Sequence, residues 1–161
     1  MIETNTSQQV MTAYLGEVYG ISFFQYFEQY YSDKSAQYLW QSLIDVESRT
    51  ADKLEIFLSK KQIPFNREDK QQMLKGESDA KRWLTLEKEE LLATLSAWVK
   101  PYEIRYRQWL SDAQAQQLDQ DELTAFKLIA AHETAIYLCL NNETSGQSGL
   151  HYLTQFLDNN Q

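Results

Sequence analysis

The chain has 161 residues, a formal net charge of −8, 43% hydrophobic and 24% charged side chains. That mix fits one domain over residues 1–161 with a sizeable core, and five glycines with two prolines are too few for the turns of a sandwich or barrel. Fifteen basic against 23 acidic residues disfavour nucleic acid as a partner, and an anionic membrane surface by the same sign argument.

The first segment carries Val10, Tyr14, Glu17, Ile21 and Phe24 at steps of three and four, which predicts a helix from a Ser7 cap to about Tyr31. Ser32-Asp33-Lys34 reads as a short turn. A second helix follows with Trp40, Leu43, Glu47, Thr50 and Leu54 on one stripe, running to about Lys61; Pro64 prevents its continuation. Residues 62–79 are polar and read as a long connection of roughly eighteen residues, far above ordinary loop length. Inside it, Asn66 is expected to cap a short helix from Glu68 to Lys75 that Gly76 stops.

The third long helix is expected from near Ser78, with Leu84, Leu91, Leu95, Trp98, Tyr102 and Trp109, and with Pro101 inside it. Residues 113–118 form the next loop. Asp119 with Glu122 three residues on reads as a capping box opening the fourth helix, which carries Leu123, Phe126, Ala130, Glu133, Tyr137 and Leu140. Gly146 and Gly149 end it, and Leu150 to Leu157 predicts a short amphipathic tail helix. No run approaches a membrane span in length. The single cysteine, Cys139, lies in an apolar helical stretch, so a buried structural thiol in a reducing compartment is expected. The start of the chain is polar, without the basic and apolar regions of a leader, and the expected location is cytoplasmic.

Two helices, a long connection and two more helices make a specific layout. Short loops make each pair antiparallel, and a connection long enough to cross the molecule lets the second and third long helices run parallel; the alternative is an all-short-loop bundle with that segment folded at one end. Each long helix also sets a glutamate among its apolar residues: Glu17, Glu47, Glu103 and Glu133. A carboxylate facing a core is costly unless it is paired, protonated or bound to a cation. At ~1.5 Å rise per residue, Glu17 and Glu47 lie at matching heights within about one turn, and so do Glu103 and Glu133. The competing reading places Glu17 or Glu47 against Arg49 or Arg105, or at the edge of the stripe in solvent.

Several motifs give this layout a family likeness: Gly16-Glu17 before an aromatic run, Leu43-Ile-Asp-Val-Glu47 in the second helix, the long connection, and Ala131-His-Glu133 in the fourth. Over roughly residues 8–158 the chain resembles the ferritin-like superfamily, especially its small rubrerythrin-like bundles. The resemblance implies a four-helix bundle with one crossover. It also implies two metal ions held by a Glu on each of two helices and Glu-x-x-His on the other two. Glu17, Glu47, Glu103 and Glu133 carry over, with His132 as a nitrogen ligand. Thr50 and Ile136 stand where the pattern has its histidines. With at most one imidazole, such a set suits Fe(II) or Mn, and the implied chemistry is metal-dependent oxidation with oxygen or peroxide. A homodimer fits this layout. The alternatives are a metal-free helical scaffold and a small-molecule binder lined by Phe23, Phe24, Tyr26 and Phe27.

Overall fold

The computed structural model describes residues 5–161, and among them every regular element is helical. There are six α-helices: α1 Asn5–Tyr30, α2 Gln37–Lys60, α3 Lys70–Trp83, α4 Lys88–Gln114, α5 Gln120–Thr144 and α6 Leu150–Asn159. The all-α expectation holds, and both predicted short turns and the tail helix are present.

Local signals explain several helix starts. Asp119 accepts from the Glu122 amide at 2.7 Å and the Glu122 side chain reaches back to the Asp119 amide at 3.4 Å, so the expected capping box forms. Asp33 accepts from the Ser35 amide at 3.0 Å and shapes the turn before α2. Ser7 lies inside α1 rather than at its cap.

The middle of the chain departs from the expectation. The short helix begins at Lys70, capped by Asp69, which accepts from the Gln72 amide at 3.0 Å. Asn66 instead forms a local turn, accepting from the Glu68 amide. Gly76 does not stop the helix; it sits buried within α3. A Cβ at Gly76 would lie 2.5 Å from the Tyr19 carbonyl oxygen and 3.1 Å from the Phe23 amide. The glycine therefore serves contact between two helix backbones. The chain then breaks at residues 84–87, where there is neither Gly nor Pro. Leu84 and Leu86 pack on the core, and the Tyr31 hydroxyl donates to the Leu86 carbonyl at 2.8 Å. Those tertiary contacts hold the turn, so α4 starts at Lys88 and not near Ser78.

Pairwise contacts give the helix directions. Tyr14 reaches Glu55 and Phe27 stacks on Trp40, so α1 and α2 are antiparallel. Trp109 meets Phe126 and Thr134 meets Glu103, so α4 and α5 are antiparallel. Tyr38 donates to Glu143 while Lys60 pairs with Asp121, so α2 and α5 are antiparallel as well. Hence α2 and α4 run parallel. The chain between them travels back along the molecule, partly as α3 laid on α1.

Side chains from all of α1 to α6 join one contiguous apolar cluster, with Trp40, Phe23, Phe27, Leu43, Leu95 and Ile129 almost wholly buried. Each such side chain contributes roughly 1.5–3 kcal/mol. The expectation that no run is long and apolar enough to span a membrane needs correction. α5 reaches that length and a mean hydropathy of 1.3, with 56% of the window buried inside the protein. Its apolar residues pack against α2, α4 and α6, which is the ordinary position of a core helix.

The α1–α3 seam yields a signed expectation. In an exposed helix interior Gly→Ala stabilises by about 1 kcal/mol. Gly76→Ala should do the reverse and destabilise by about 1–3 kcal/mol, because the backbones must part to admit the methyl group. Urea unfolding reads the sign, and a stabilised variant would show that the seam is loose.

Candidate metal centre

Three helices converge on one buried point. α1 brings Glu17, 2% exposed; α2 brings Glu47, 6%; α5 brings His132, 1%. One donor atom from each lies within 4.8 Å of the other two. Glu133 borders the same point, its Oε2 3.1 Å from His132 Nε2.

The imidazole is held from behind. His132 Nδ1 lies 2.5 Å from the Ile129 carbonyl oxygen, one turn back on α5. A carbonyl only accepts, so this contact assigns the proton to Nδ1 and leaves Nε2 facing the carboxylates. Nε2 stands 2.8 Å from Glu17 Oε1 and 3.1 Å from Glu133 Oε2, at ion-pairing distance from both, and no well-aligned hydrogen bond closes it. Glu17 Oε2 also has no partner. Two buried polar atoms without partners at one place require an explanation, since such atoms are normally satisfied.

The electrostatics follow from crowding. Burial is the largest cause raising the Glu47 carboxyl well above its usual range, and Glu17 and Glu133 add to it. Burial likewise raises Glu133, with Glu17 and Glu103 adding and His132 opposing. Burial alone would lower His132; Glu17 and Glu133 outweigh it and push the imidazole up to about 10. Without a cation, burial and crowding thus favour the neutral form of Glu47 and the charged form of His132.

A glycine makes room for this arrangement. A Cβ at Gly20 would lie 2.8 Å from Glu47 Cδ and Oε2, so the carboxylate rests directly against the α1 backbone. This was missed in the sequence, where the signal was two glycines, Gly16 and Gly20, within an otherwise aromatic-rich helix; a mid-helix glycine usually has a packing or functional reason.

Of the five candidate ligands, the structure brings Glu17, Glu47 and His132 together and sets Glu133 at their edge. Glu103 does not join them. It is 7% exposed but is held by Arg107 Nε at 2.6 Å and by the Thr134 hydroxyl at 3.3 Å. Three residues advance a helix by ~300°, so with Tyr106 facing inward Glu103 falls on the α4–α5 edge. Tyr106 takes the inner place, its ring 6.1 Å from that of His132. Its hydroxyl pKa is raised by burial first and then by Glu133, Glu17 and Glu47.

The arginine-paired reading fails for Glu17 and Glu47. Arg49 donates to the Asn160 carbonyl at 2.9 Å and Arg105 lies over the Tyr102 ring. Thr50, where the family pattern has a histidine, donates to the Val46 carbonyl at 2.8 Å and offers the cluster nothing. Tyr14 turns away to Glu55; burial, then Glu55, push its hydroxyl up to about 12.

A cleft of about 340 Å³ between α1, α3 and α4 reaches the cluster, with Tyr19, Phe23, Trp98 and Tyr102 among its walls. Phe24 also lines it, whereas Phe27 packs on Trp40 and Tyr26 on Tyr30. A larger depression of about 1000 Å³ along α5 has Ile56, Leu128 and Leu138 in its walls and lies apart from the cluster. No protein-family model, curated protein or solved structure matches this chain.

The imidazolium gives a pH signature in the metal-free protein. A histidine pKa raised from 6.5 to about 10 means that the native state binds more protons than the unfolded state between those values. Stability from this group is complete below pH ~6.5 and is lost as pH rises through ~10. The thermal midpoint should fall over that window, and the His132 ring nitrogens should keep imidazolium chemical shifts until its upper end. A neutral imidazole at pH 8 would refute the electrostatic account.

Proposed function

We propose that this chain is a ferritin-like four-helix protein whose buried cluster holds one divalent cation, Fe(II) or Mn, for oxygen or peroxide chemistry. The observation that carries this reading is the convergence of Glu17, Glu47 and His132 donors within 4.8 Å, all buried, with unpartnered atoms on Glu17 and His132. The parallel course of α2 and α4, joined by a long connection, supports the one-crossover bundle.

The donor set fits a cation of this type. Glu17, Glu47 and the Nε2 of His132 would hold it, with Glu133 beside them. Carboxylates with one imidazole suit hard or borderline ions. Replacing the protons on His132 and Glu47 by a dication would relieve the repulsion among buried carboxylates. The carbonyl of Ile129 would keep the ring oriented as second-layer partners of histidine ligands do. A bound ion would supply Lewis acidity and, for iron or manganese, one-electron redox chemistry. Thr50 and Ile136 supply no further imidazole, and Glu103 is already neutralised by Arg107, so one ion is favoured over the two of the family pattern.

Metal content of protein purified without chelator, and again after Fe(II) or Mn(II) loading, tests this. About one equivalent is expected, with thermal stabilisation; a ligand at a hundredfold excess over its Kd contributes about 2.7 kcal/mol. Glu17→Gln with Glu47→Gln should abolish retention, while Glu103→Gln should leave it intact. Gly20→Ala should also lose metal in a folded protein, because only the end of the Glu47 side chain has to move. No retention and no stabilisation after loading would refute the metal reading, and the aromatic cleft would then stand as a small-molecule site.

A further inference from the structure

We propose that the cleft between α1, α3 and α4 binds a small, flat organic acid, its carboxylate held at the mouth by Lys75 and Arg105 and an oxygen at its far end accepting from the Tyr106 hydroxyl. The cleft holds about 340 Å³, at the low end of ordinary ligand sites, so its occupant is small. Trp98 stands in the middle of its ring walls, 5.8 Å from the Tyr19 ring on α1 and 6.1 Å from the Tyr102 ring on α4. A cation rests on each end of this arc. Lys75 Nζ lies 5.9 Å from the centre of the Tyr19 ring, and Arg105 Cζ lies 5.4 Å from that of Tyr102. Both cations line the cleft and are exposed, and among the described residues neither is ion-paired. Asp79, one turn from Lys75 on the same wall, is already engaged: it accepts from Tyr19 at 2.6 Å and pairs with Arg82 at 3.6 Å. Two cations left free at the mouth of an aromatic cleft, in a chain of net charge −8, are placed to receive a carboxylate.

At the inner end lies an unpaired donor. Tyr106 is 6% exposed, and among the described residues its hydroxyl has no hydrogen-bond partner, although buried hydroxyls are normally satisfied. It faces the cleft beside Gly16, where a Cβ would lie 3.7 Å from the hydroxyl oxygen. Gly16 is exposed, and its missing side chain leaves the hydroxyl open to a ligand. A phenol keeps its proton at neutral pH, so Tyr106 donates.

Charge fixes the orientation. Glu17, Glu47 and Glu133 line the inner end, and a carboxylate brought among them would be repelled. The acid group therefore stays at Lys75 and Arg105, the flat body lies against Tyr19, Trp98 and Tyr102, and the far oxygen meets Tyr106. As a statement of substrate class this rests on the metal reading above, because only a bound ion would give the far end of the ligand a reaction. As a binding site it does not need the ion.

The test is isothermal titration calorimetry on the metal-free, full-length chain, so failure of metal binding leaves it intact. The probe is 4-hydroxycinnamate, flat, with a carboxylate at one end and a phenolic oxygen at the other. It should bind at one site. 4-Hydroxycinnamide has the same shape without the charge and should bind about tenfold more weakly. The surface double substitution Lys75→Gln with Arg105→Gln should weaken 4-hydroxycinnamate to the level of the amide. Tyr106→Phe should weaken 4-hydroxycinnamate about fivefold and leave cinnamate, which lacks the far oxygen, unchanged; a general packing defect would weaken both. Gly16→Leu should abolish binding of all three, because the side chain grows into the cleft while its Cβ makes only an ordinary contact with Tyr106. Circular dichroism confirms that each variant is folded. No saturable binding of 4-hydroxycinnamate, equal affinity for acid and amide, binding that survives Gly16→Leu, or tighter binding of the amine tyramine would each overturn the assignment.

Discussion

The structure turns on the cost of placing three carboxylates and an imidazole together where most of their surface is withdrawn from water. At an effective dielectric of about 20, two like charges 4 Å apart repel by about 4 kcal/mol, and desolvation adds to that. The protein answers with proton placement. Burial, then Glu17 and Glu133, favour the neutral form of Glu47, while Glu17 and Glu133 outweigh burial to favour the charged form of His132. The remaining features of the site follow from this constraint. Ile129 anchors the imidazole through its carbonyl, Gly20 opens space for the Glu47 carboxylate, and Arg107 draws Glu103 out of the group.

The same crowding shows what the helical framework is for. Three separate helices must present their donors at one height, and each is positioned by contacts far from the cluster. α1 is fixed at one end by the stacking of Phe27 on Trp40 and at the other by the Tyr14 bond to Glu55, itself braced by Arg67. α5 starts at a height set by its capping box, with Asp119 also paired to Lys61 at the end of α2. α3 lies against α1 through a glycine, and Tyr19 donates to Asp79 at 2.6 Å across the same seam. The cluster is therefore held by interactions that do not involve it.

Much of this was legible in the residues, because the relevant physics is local. Helical spacing found the long helices, Asp119 and Glu122 marked the start of α5, and the rarity of carboxylates on apolar stripes singled out Glu17 and Glu47 alongside Glu103 and Glu133. What stayed illegible depends on partners distant in sequence. Gly76 reads as a helix stop until the α1 backbone is seen against it. Residues 84–87 contain no breaker, and the turn there is held by Tyr31 and by burial of Leu84 and Leu86. Glu103 and Tyr106 are separated by less than one turn, and stripe arithmetic cannot tell which of them faces inward. The choice is made by Arg107 and Thr134, whose offer of an ion pair and a hydroxyl draws Glu103 to the edge.

The tautomer of His132 bears on the chemistry of the cluster. A buried histidine that served only as a counterion would be best placed with an N–H pointing along a hydrogen bond to a carboxylate. Here Nδ1 is bonded to a backbone carbonyl, while Nε2 stands close to two carboxylate oxygens without aligning on either. That is a poor geometry for a donor and a sound one for a lone pair directed at a shared centre, because ligands of one ion point at the ion and not at each other. The distances are short enough for ion pairing with two carboxylates at once. This combination is what the proposed cation site requires, with protons standing in for the ion when none is bound.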